Sequence, residues 1–420
     1  MADSPEPPLS TADIRTARPP GIVPLLGMML AVLATAWIVV GSVLAPELDG
    51  GWTTIGIAAG LVTVVPLGLF LVTRMLGLYP GRLFRLTVFR FLWYSHFLLL
   101  LSMLAGIAGM LAGSLGALAG LGSETIGDWG RIAMALTAAV FGVGMIAGYW
   151  GSRQLVLTEF DVVHPALPPG LDGLTIVQIS DVHVGPHTRV KVLAAIAEAA
   201  RLARPDLIAI TGDLIDDFDE DVEHYAAGLG SLAAPLGVFV IAGNHDIYAN
   251  WRKVRARLAR LTQRVLMNEH VMLTHGGAMF ALAGTGDPAA GHRTGSAGGG
   301  PDIPATMDAI PLGAFSLVLA HNPVLWPSLA ERGAHVTLSG HTHWGQLAIP
   351  ALGWCLASPF LRHAMGSHVR GESLLYIHPG TNYWGIPFRL GAPPEVAVLT
   401  LRRGGPAPAM TQRAQRQLKC

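Results

Sequence analysis

Apolar positions divide the chain into two regimes. Long charge-free runs come first, and short apolar runs alternating with amphipathic segments follow. The long runs occupy residues 21–46, 52–73, 91–121 and 132–150. A bilayer's hydrocarbon core takes roughly 20 apolar helical residues, and each run is long enough. Several such lengths in succession predict an N-terminal α-helical transmembrane bundle of about four helices over residues 21–150. The first run is longer than the apolar part of a secretory signal, lacks a small-x-small cleavage pattern and is followed by more spans, so it reads as a span. The third carries Gly106, Gly109, Gly113 and Gly116 among alanines, a spacing that lets helix backbones approach closely in lipid. Residues 1–20, rich in Pro, Ser, Thr and charge, read as disordered.

From about Gln154 the pattern predicts strands at residues 174–179, 207–210 and 238–241, and helices at 190–203, 225–232 and 251–265. This βαβαβ order implies a C-terminal α/β domain with a parallel sheet and helices on both faces. Further strands are expected at 279–283, 315–319, 336–338, 373–377 and 396–401. The Gly-rich stretch 291–304 reads as a mobile loop, and residues 404–420 as a flexible, solvated tail. The folded domain is thus expected over residues 154–403.

Composition sharpens this division. A mean hydropathy of +0.47 is too apolar for an ordinary soluble chain of this size and fits spans plus a soluble part. Only 13% of the residues are charged and the net charge is zero, so no broad basic surface for nucleic acid is indicated. Cys355 and Cys420 form neither a disulfide framework nor a zinc-finger spacing, a mild lean toward a reducing compartment. Arg15, Arg18, Arg74, Arg82, Arg85, Arg90 and Arg153 fall on one side of the spans. The opposite loops hold Arg131 beside Glu124 and Asp128, and Glu47 with Asp49. The positive-inside rule then predicts a multi-pass integral membrane protein with both termini, and the C-terminal domain, in the cytoplasm. The side inverts if one run is not a span.

The polar residues of the second half fall just after its strands. Asp181 and His183 follow the first, Gly212-Asp213 the second, and Gly243-Asn244-His245-Asp246 the third. His321 and then Gly340-His341-Thr342-His343 follow two later ones. Each has a bland reading as cap, turn or core histidine. Ligands in open α/β sheets bind beyond the carboxyl ends of strands, and these groups would meet there. Gathered on one sheet edge, carboxylates, an amide and imidazoles would be an underpaired cluster without a cation. Mixed N and O donors suit zinc, manganese or iron rather than calcium, and their number fits two divalent ions sharing a carboxylate.

With these motifs in this order over roughly residues 174–401, the chain resembles the calcineurin-like metallophosphoesterases. It is most similar to their membrane-associated branch, through Gly340-His341-Thr342-His343-Trp344-Gly345-Gln346, Gly284-Thr285-Gly286-Asp287 and Arg389-Leu390-Gly391-Ala392-Pro393-Pro394-Glu395. Trp344 stands where that branch more usually has glycine. The resemblance implies an α/β/β/α sandwich in which Asp181, His183 and His343 hold one metal, and Asn244, His321 and His341 the other. It implies that Asp213 bridges them and that His245 sits beside the leaving group. Such a pair clamps phosphoryl oxygens and generates hydroxide for in-line attack, while His245 protonates the leaving oxygen. Asp246 is placed to orient His245 or a ligand from behind.

The leading function is therefore a membrane-anchored phosphohydrolase acting on a phosphoester or pyrophosphate bond. A phosphorylated small molecule or a lipid is its substrate, and membrane lipids are its neighbours. Some relatives are implied to cleave nucleotide-linked lipid A precursors. The alternative is a non-enzymatic membrane scaffold or transporter-like protein with a structural metal site. A metalloprotease would need a His-Glu-x-x-His helix, which the sequence lacks. Residues 251–265, with Trp251, Val254, Leu258, Leu261 and Val265 at helical spacing and six basic residues between them, read as an amphipathic helix; the functional alternative is a basic face toward anionic headgroups. The acidic run 216–221 reads as a solvated loop. Arg389 and Asn382 are candidates for contacting phosphate at the rim, and Trp344 and Trp384 for an apolar wall.

Overall fold

Four helices long and apolar enough to cross a membrane fill the first region of the computed structural model, at Gly27–Glu47, Trp52–Thr73, Arg82–Leu118 and Thr125–Gly151. The structure describes residues 22–291 and 299–418, and its contacts divide the chain into Met1–Ile146 and Ala147–Cys420. The expected disordered stretch 1–20 lies outside the described residues. The last helix starts several residues before its apolar run. Its first turns carry Asp128 and Arg131, which pair at 2.5 Å, and Arg131 also meets Glu47 at 2.9 Å. Backbone bonds, not apolarity, set where a helix begins. The glycine spacing of the third helix does what lipid packing needs. A Cβ on Gly109 would lie 2.3 Å from the Trp129 carbonyl oxygen, and one on Gly113 2.4 Å from that of Thr125.

The second unit is built on two sheets. The first has seven strands in the order β15-β1-β14-β2-β3-β4-β5, and the second six in the order β12-β13-β9-β8-β7-β6. In chain order the strands of the first are β1 (Val156–His164), β2 (Thr175–Ile179), β3 (Leu207–Thr211), β4 (Val238–Ile241), β5 (Arg264–Val265), β14 (Glu395–Arg403) and β15 (Ala409–Gln417). Those of the second are β6 (Glu269–His275), β7 (Ala278–Gly284), β8 (Phe315–Leu319), β9 (Val336–Ser339), β12 (Gly366–Arg370) and β13 (Ser373–Ile377). A small hairpin pairs β10 (Ala348–Ile349) with β11 (Trp354–Cys355).

Between the sheets, Ile176, Leu207 and Phe239 meet Phe280, Leu317 and Tyr376. On the far side of β2 and β3, Val177, Ile179 and Ile208 pack against Ile196, Tyr225 and Val254, from the helices Val190–Leu202, Val222–Leu229 and Trp251–Leu258. Short helices at Ile303–Met307 and Trp326–Glu331 cover the outer face of the second sheet. The architecture is the α/β/β/α sandwich, not one sheet with helices on both faces. An unbroken apolar strand shows that both faces are buried, but not what buries them.

Other differences follow the same physics. β1, β6, β12 and β15 escape the pattern because polar or exposed residues interrupt their apolar stripes. The expected tail contains β15, which lies almost fully exposed along the edge of β1, held by backbone pairing and by surface contacts such as Arg413 with Asp161 at 3.4 Å. The helix expected over 251–265 stops at Leu258, and Arg264 and Val265 turn into a strand beside β4. Residues 292–298 of the expected loop lie outside the described residues. Asp302 then caps the helix at Ile303, its carboxylate accepting from the Ala305 amide at 3.0 Å.

At the start of β14, Glu395 is buried and accepts the Tyr376 hydroxyl. Burial, only partly offset by bonds from Thr158 and Tyr376, pushes its carboxyl from 4.5 up to about 7. The fold prefers the neutral form. Its contribution is therefore fully present below pH 4.5 and is lost as pH rises through 7. Over that interval the loss amounts to about 3 kcal/mol. Thermal melts of Glu395→Gln beside the unaltered chain, at pH 5 and 8.5 in detergent, should show the variant gaining on the parent at the higher pH. A constant difference between the two at both pH values would contradict this assignment.

Candidate metal centre

The carboxyl ends of β2, β3, β4, β8 and β9 carry the motif residues; parallel pairing aligns them within each sheet, and the packing of the two sheets brings both sets to one edge. The backbone then turns sharply. Asp181, His183, Asp213, His341 and His343 all adopt positive φ, between 45° and 71°. A non-glycine residue in this region costs on the order of 1–3 kcal/mol, and such residues persist where packing fixes them at a functional site. Close approach also requires glycine beside them. A Cβ on Gly243 would stand 2.2 Å from Asp213 Oδ1, and one on Gly340 2.2 Å from Asp181 Oδ2.

The seven residues expected as ligands are brought together. His183 Nε2 lies 2.9 Å from His343 Nε2 and 3.5 Å from Asp213 Oδ2, and His343 Nε2 lies 3.3 Å from Asp181 Oδ1. On the other side, His321 Nε2 lies 3.3 Å from the same Asp213 oxygen and 3.2 Å from Asn244 Oδ1, which is 2.7 Å from His341 Nδ1. Donors bound to a common cation at about 2.0–2.2 Å stand roughly 3.0–3.5 Å apart. The residues fit two ions with Asp213 Oδ2 between them.

Electrostatics agree with that donor set. Burial penalises charge on Asp213, but His321, His245 and His183 outweigh it and hold the carboxyl well below its usual range. Burial would also lower His321; Asp213 and Asp181 instead raise it well above the ordinary value. Burial and the neighbouring His321 depress His341 to about 4, and burial with Arg389 depresses His343 well below 6.5. Both rings are uncharged at neutral pH. So much buried polar density, with imidazoles on two sides of one carboxylate, calls for a cation.

Supporting bonds hold the donors. Ser180 Oγ donates to Asp181 Oδ2 at 2.6 Å, and the His341 amide donates to Oδ1 at 3.0 Å. The His245 amide donates to Asp213 Oδ1 at 2.8 Å. His321 Nδ1 sits 2.7 Å from the Thr211 carbonyl, which fixes its hydrogen there and leaves Nε2 facing Asp213. Asp246 accepts the Gly243 amide at 2.8 Å and the Leu214 amide at 3.1 Å, tying the Asp213 loop to the turn that carries Asn244 and His245. The group that fixes the His245 ring is the Asp216 carbonyl, 2.5 Å from Nδ1.

Asp216 is the residue that the sequence pattern hides. It is buried, and its carboxylate lies 3.7 Å from His183 Nδ1 and 4.0 Å from His245 Nδ1. The acidic run is not a solvated loop: Asp219 and Asp221 are buried too, and Asp219 takes Arg257 at 3.0 Å and Lys253 at 3.5 Å from the basic helix. The signal was there in Leu214-Ile215, two fully buried residues leading from Asp213 to Asp216. Arg389 and Asn382 are buried rather than at the rim, with Asn382 Nδ2 donating to the Val182 carbonyl at 2.9 Å. Trp384 does stand beside His245, ring centroids 5.8 Å apart, and Tyr248 stands 5.7 Å away. Trp344 turns toward the second sheet, its indole donating to the Ile377 carbonyl at 2.9 Å.

Comparison with known proteins accords with this geometry. Residues 174–345 match the calcineurin-like phosphoesterase family. The chain is 30% identical over 281 residues to the uncharacterized metallophosphoesterase YkuE of Bacillus subtilis, covering 66% of this chain and 95% of that one. It is 30% identical over 285 residues to the transmembrane protein with metallophosphoesterase domain of Bos taurus, spanning 64% of this chain but 62% of that one. Against an uncharacterized metallophosphoesterase of Helicobacter pylori strain J99 it is 34% identical and spans 60% of that protein. Among solved structures, the sulfate thiohydrolase SoxB of Thermus thermophilus aligns over 56% of this chain and 57% of that one, with a TM-score of 0.36 and 14% identity. A match running almost the full length of the B. subtilis relative, together with the donor groups around Asp213, means that the chain belongs to the calcineurin-like metallophosphoesterases, a family of metal-dependent hydrolases.

Proposed function

We propose that the second unit is a dimetal phosphohydrolase, tethered by the spans, that cleaves a phosphoester or pyrophosphate bond in a lipid or lipid-linked substrate on the cytoplasmic face. The observation that carries this reading is Asp213 Oδ2, 3.5 Å from His183 Nε2 on one side and 3.3 Å from His321 Nε2 on the other. Asp181, His183 and His343 would hold one ion, and Asn244, His321 and His341 the second, with Asp213 common to both. Manganese, zinc or iron would each suit these donors and would supply Lewis acidity toward phosphoryl oxygens and toward water.

The chain's own residues then set the reaction's direction. His245 Nδ1 is committed to the Asp216 carbonyl, so Nε2 is left to give a proton to the departing oxygen. Trp384 and Tyr248 flank that ring and bound the space for a leaving group. Asp246 and Ser180 keep the two aspartate-bearing loops from relaxing. The lipid half of the reading rests on the four helices, because a tethered catalyst meets substrates in its own plane at high effective concentration. The cytoplasmic half rests on the arginine asymmetry of the loops.

The test is a substrate panel on the full chain in nanodiscs with Mn²⁺ or Zn²⁺, comparing bis(p-nitrophenyl) phosphate, p-nitrophenyl phosphate and a polyprenyl pyrophosphate. Metal-dependent turnover with the lipid preferred is expected. Turnover of the soluble esters alone would overturn the lipid assignment, and no turnover of any would overturn the whole reading.

A further inference from the structure

Arg389 is a long cation whose hydrogen bonds reach no anion. It is 1% exposed, and each of its partners is uncharged. Nη1 donates to the His343 carbonyl at 3.0 Å and to that of Pro379 at 2.5 Å. Nη2 donates to the Asn382 carbonyl and stands 2.7 Å from Nδ1 of the His343 ring. Burying a guanidinium without a hydrogen-bonded carboxylate is costly, and burial lowers this one to about 9 against the opposing charge of Asp181. A lysine, with no planar fork, could not span these acceptors at once. The chain also makes room for the pair. Gly380 has φ +91°, and a Cβ there would lie 2.7 Å from Arg389 Nη2 and 2.9 Å from His343 Nδ1.

We infer that Arg389 is a positioning residue that acts through the His343 backbone, clamping its carbonyl and the turns beside it so that the Asp181–His183–His343 group retains its ion. Nε2 of His343 is the ring nitrogen that faces inward. That nitrogen is the one 2.9 Å from His183 Nε2 and 3.3 Å from Asp181 Oδ1. The same fork fastens the Pro379 and Asn382 turns to the His343 loop, and Asn382 in turn grips the Val182 carbonyl between Asp181 and His183. All three ligands of one ion are thus oriented from a single buried side chain, whereas Asn244, His321 and His341 have no bond to it. Arg389 therefore weights the two ion sites unequally.

This inference rests on the dimetal reading, and the experiment separates the two. Mn²⁺ binding to the full chain in detergent would be followed by calorimetry and by electron paramagnetic resonance, for the parent, Arg389→Lys and Gly380→Ala. The parent should bind two ions and show a spin-coupled signal. Both variants should lose one ion's affinity by ~10–100-fold, the usual cost of removing a residue that orients a metal ligand, and the coupled signal should give way to an isolated Mn²⁺ spectrum. The other ion's affinity should hold within a few fold. A parent that binds fewer than two ions overturns the dimetal reading itself. A parent with two ions and variants that keep both, or that weaken both equally, overturns the role given to Arg389. The second variant leaves Arg389 intact, so the assignment does not depend on Arg389→Lys folding.

Discussion

Asp213→Asn is expected to lower turnover by ~10³-fold or more and to reduce the tightly bound divalent ions from two to at most one. The upper end of the cost of removing one preorganised electrostatic partner sets that scale, and this carboxylate serves both donor groups. The substitution is nearly isosteric. The side-chain oxygen that accepts the His245 amide at 2.8 Å remains, so the loop stays in place. The oxygen that faces His183 and His321 becomes an amide NH₂, which donates where an acceptor is needed. The spans lie elsewhere in the chain, and membrane insertion should be unchanged by fractionation and protease protection. A variant that retains more than a tenth of parental turnover with its metal content intact would remove Asp213 from the centre of the account.

His245→Gln is the second large effect, and it should depend on the leaving group. The ring is anchored through Nδ1 on the Asp216 carbonyl and contributes no atom to the close donor contacts around Asp213 Oδ2. Its task is a proton, which contributes ~10²–10⁴-fold when the departing oxygen is basic and little when it is not. An alkyl phosphodiester or a lipid phosphate should therefore lose ~10²-fold or more in kcat, and a p-nitrophenyl ester less than about tenfold. Metal content should stay at the parental value. An equal loss on both substrate types would mean that His245 works through binding rather than protonation.

How much of this could be read from the residues depended on whether the signal was local. The membrane-length helices were plain because length and apolarity are enough. The central strands β2, β3, β4, β8 and β9 were plain because both their faces are buried. The seven candidate ligand residues were legible because each sits within a few positions of such a strand end, with glycine beside many of them. What the pattern could not carry was the identity of the covering layer, since a helix and a second sheet bury a strand equally well. Nor could it show edge strands such as β15, whose polar residues carry no stripe and whose stability comes from pairing with β1. Asp216 was masked by Asp217 and Glu220, which make the segment look solvated. Arg389 stands 46 positions from His343, and no spacing rule joins two residues that only the fold brings to 2.7 Å.

In the proposed centre, loops from five strand ends seat a pair of cations on one shared oxygen. The most direct measurement is the Mn²⁺ content of the purified full chain, with the electron paramagnetic resonance spectrum of the same sample. Two ions per chain and a spin-coupled spectrum are predicted. A single uncoupled ion, or none retained after gel filtration, would contradict it.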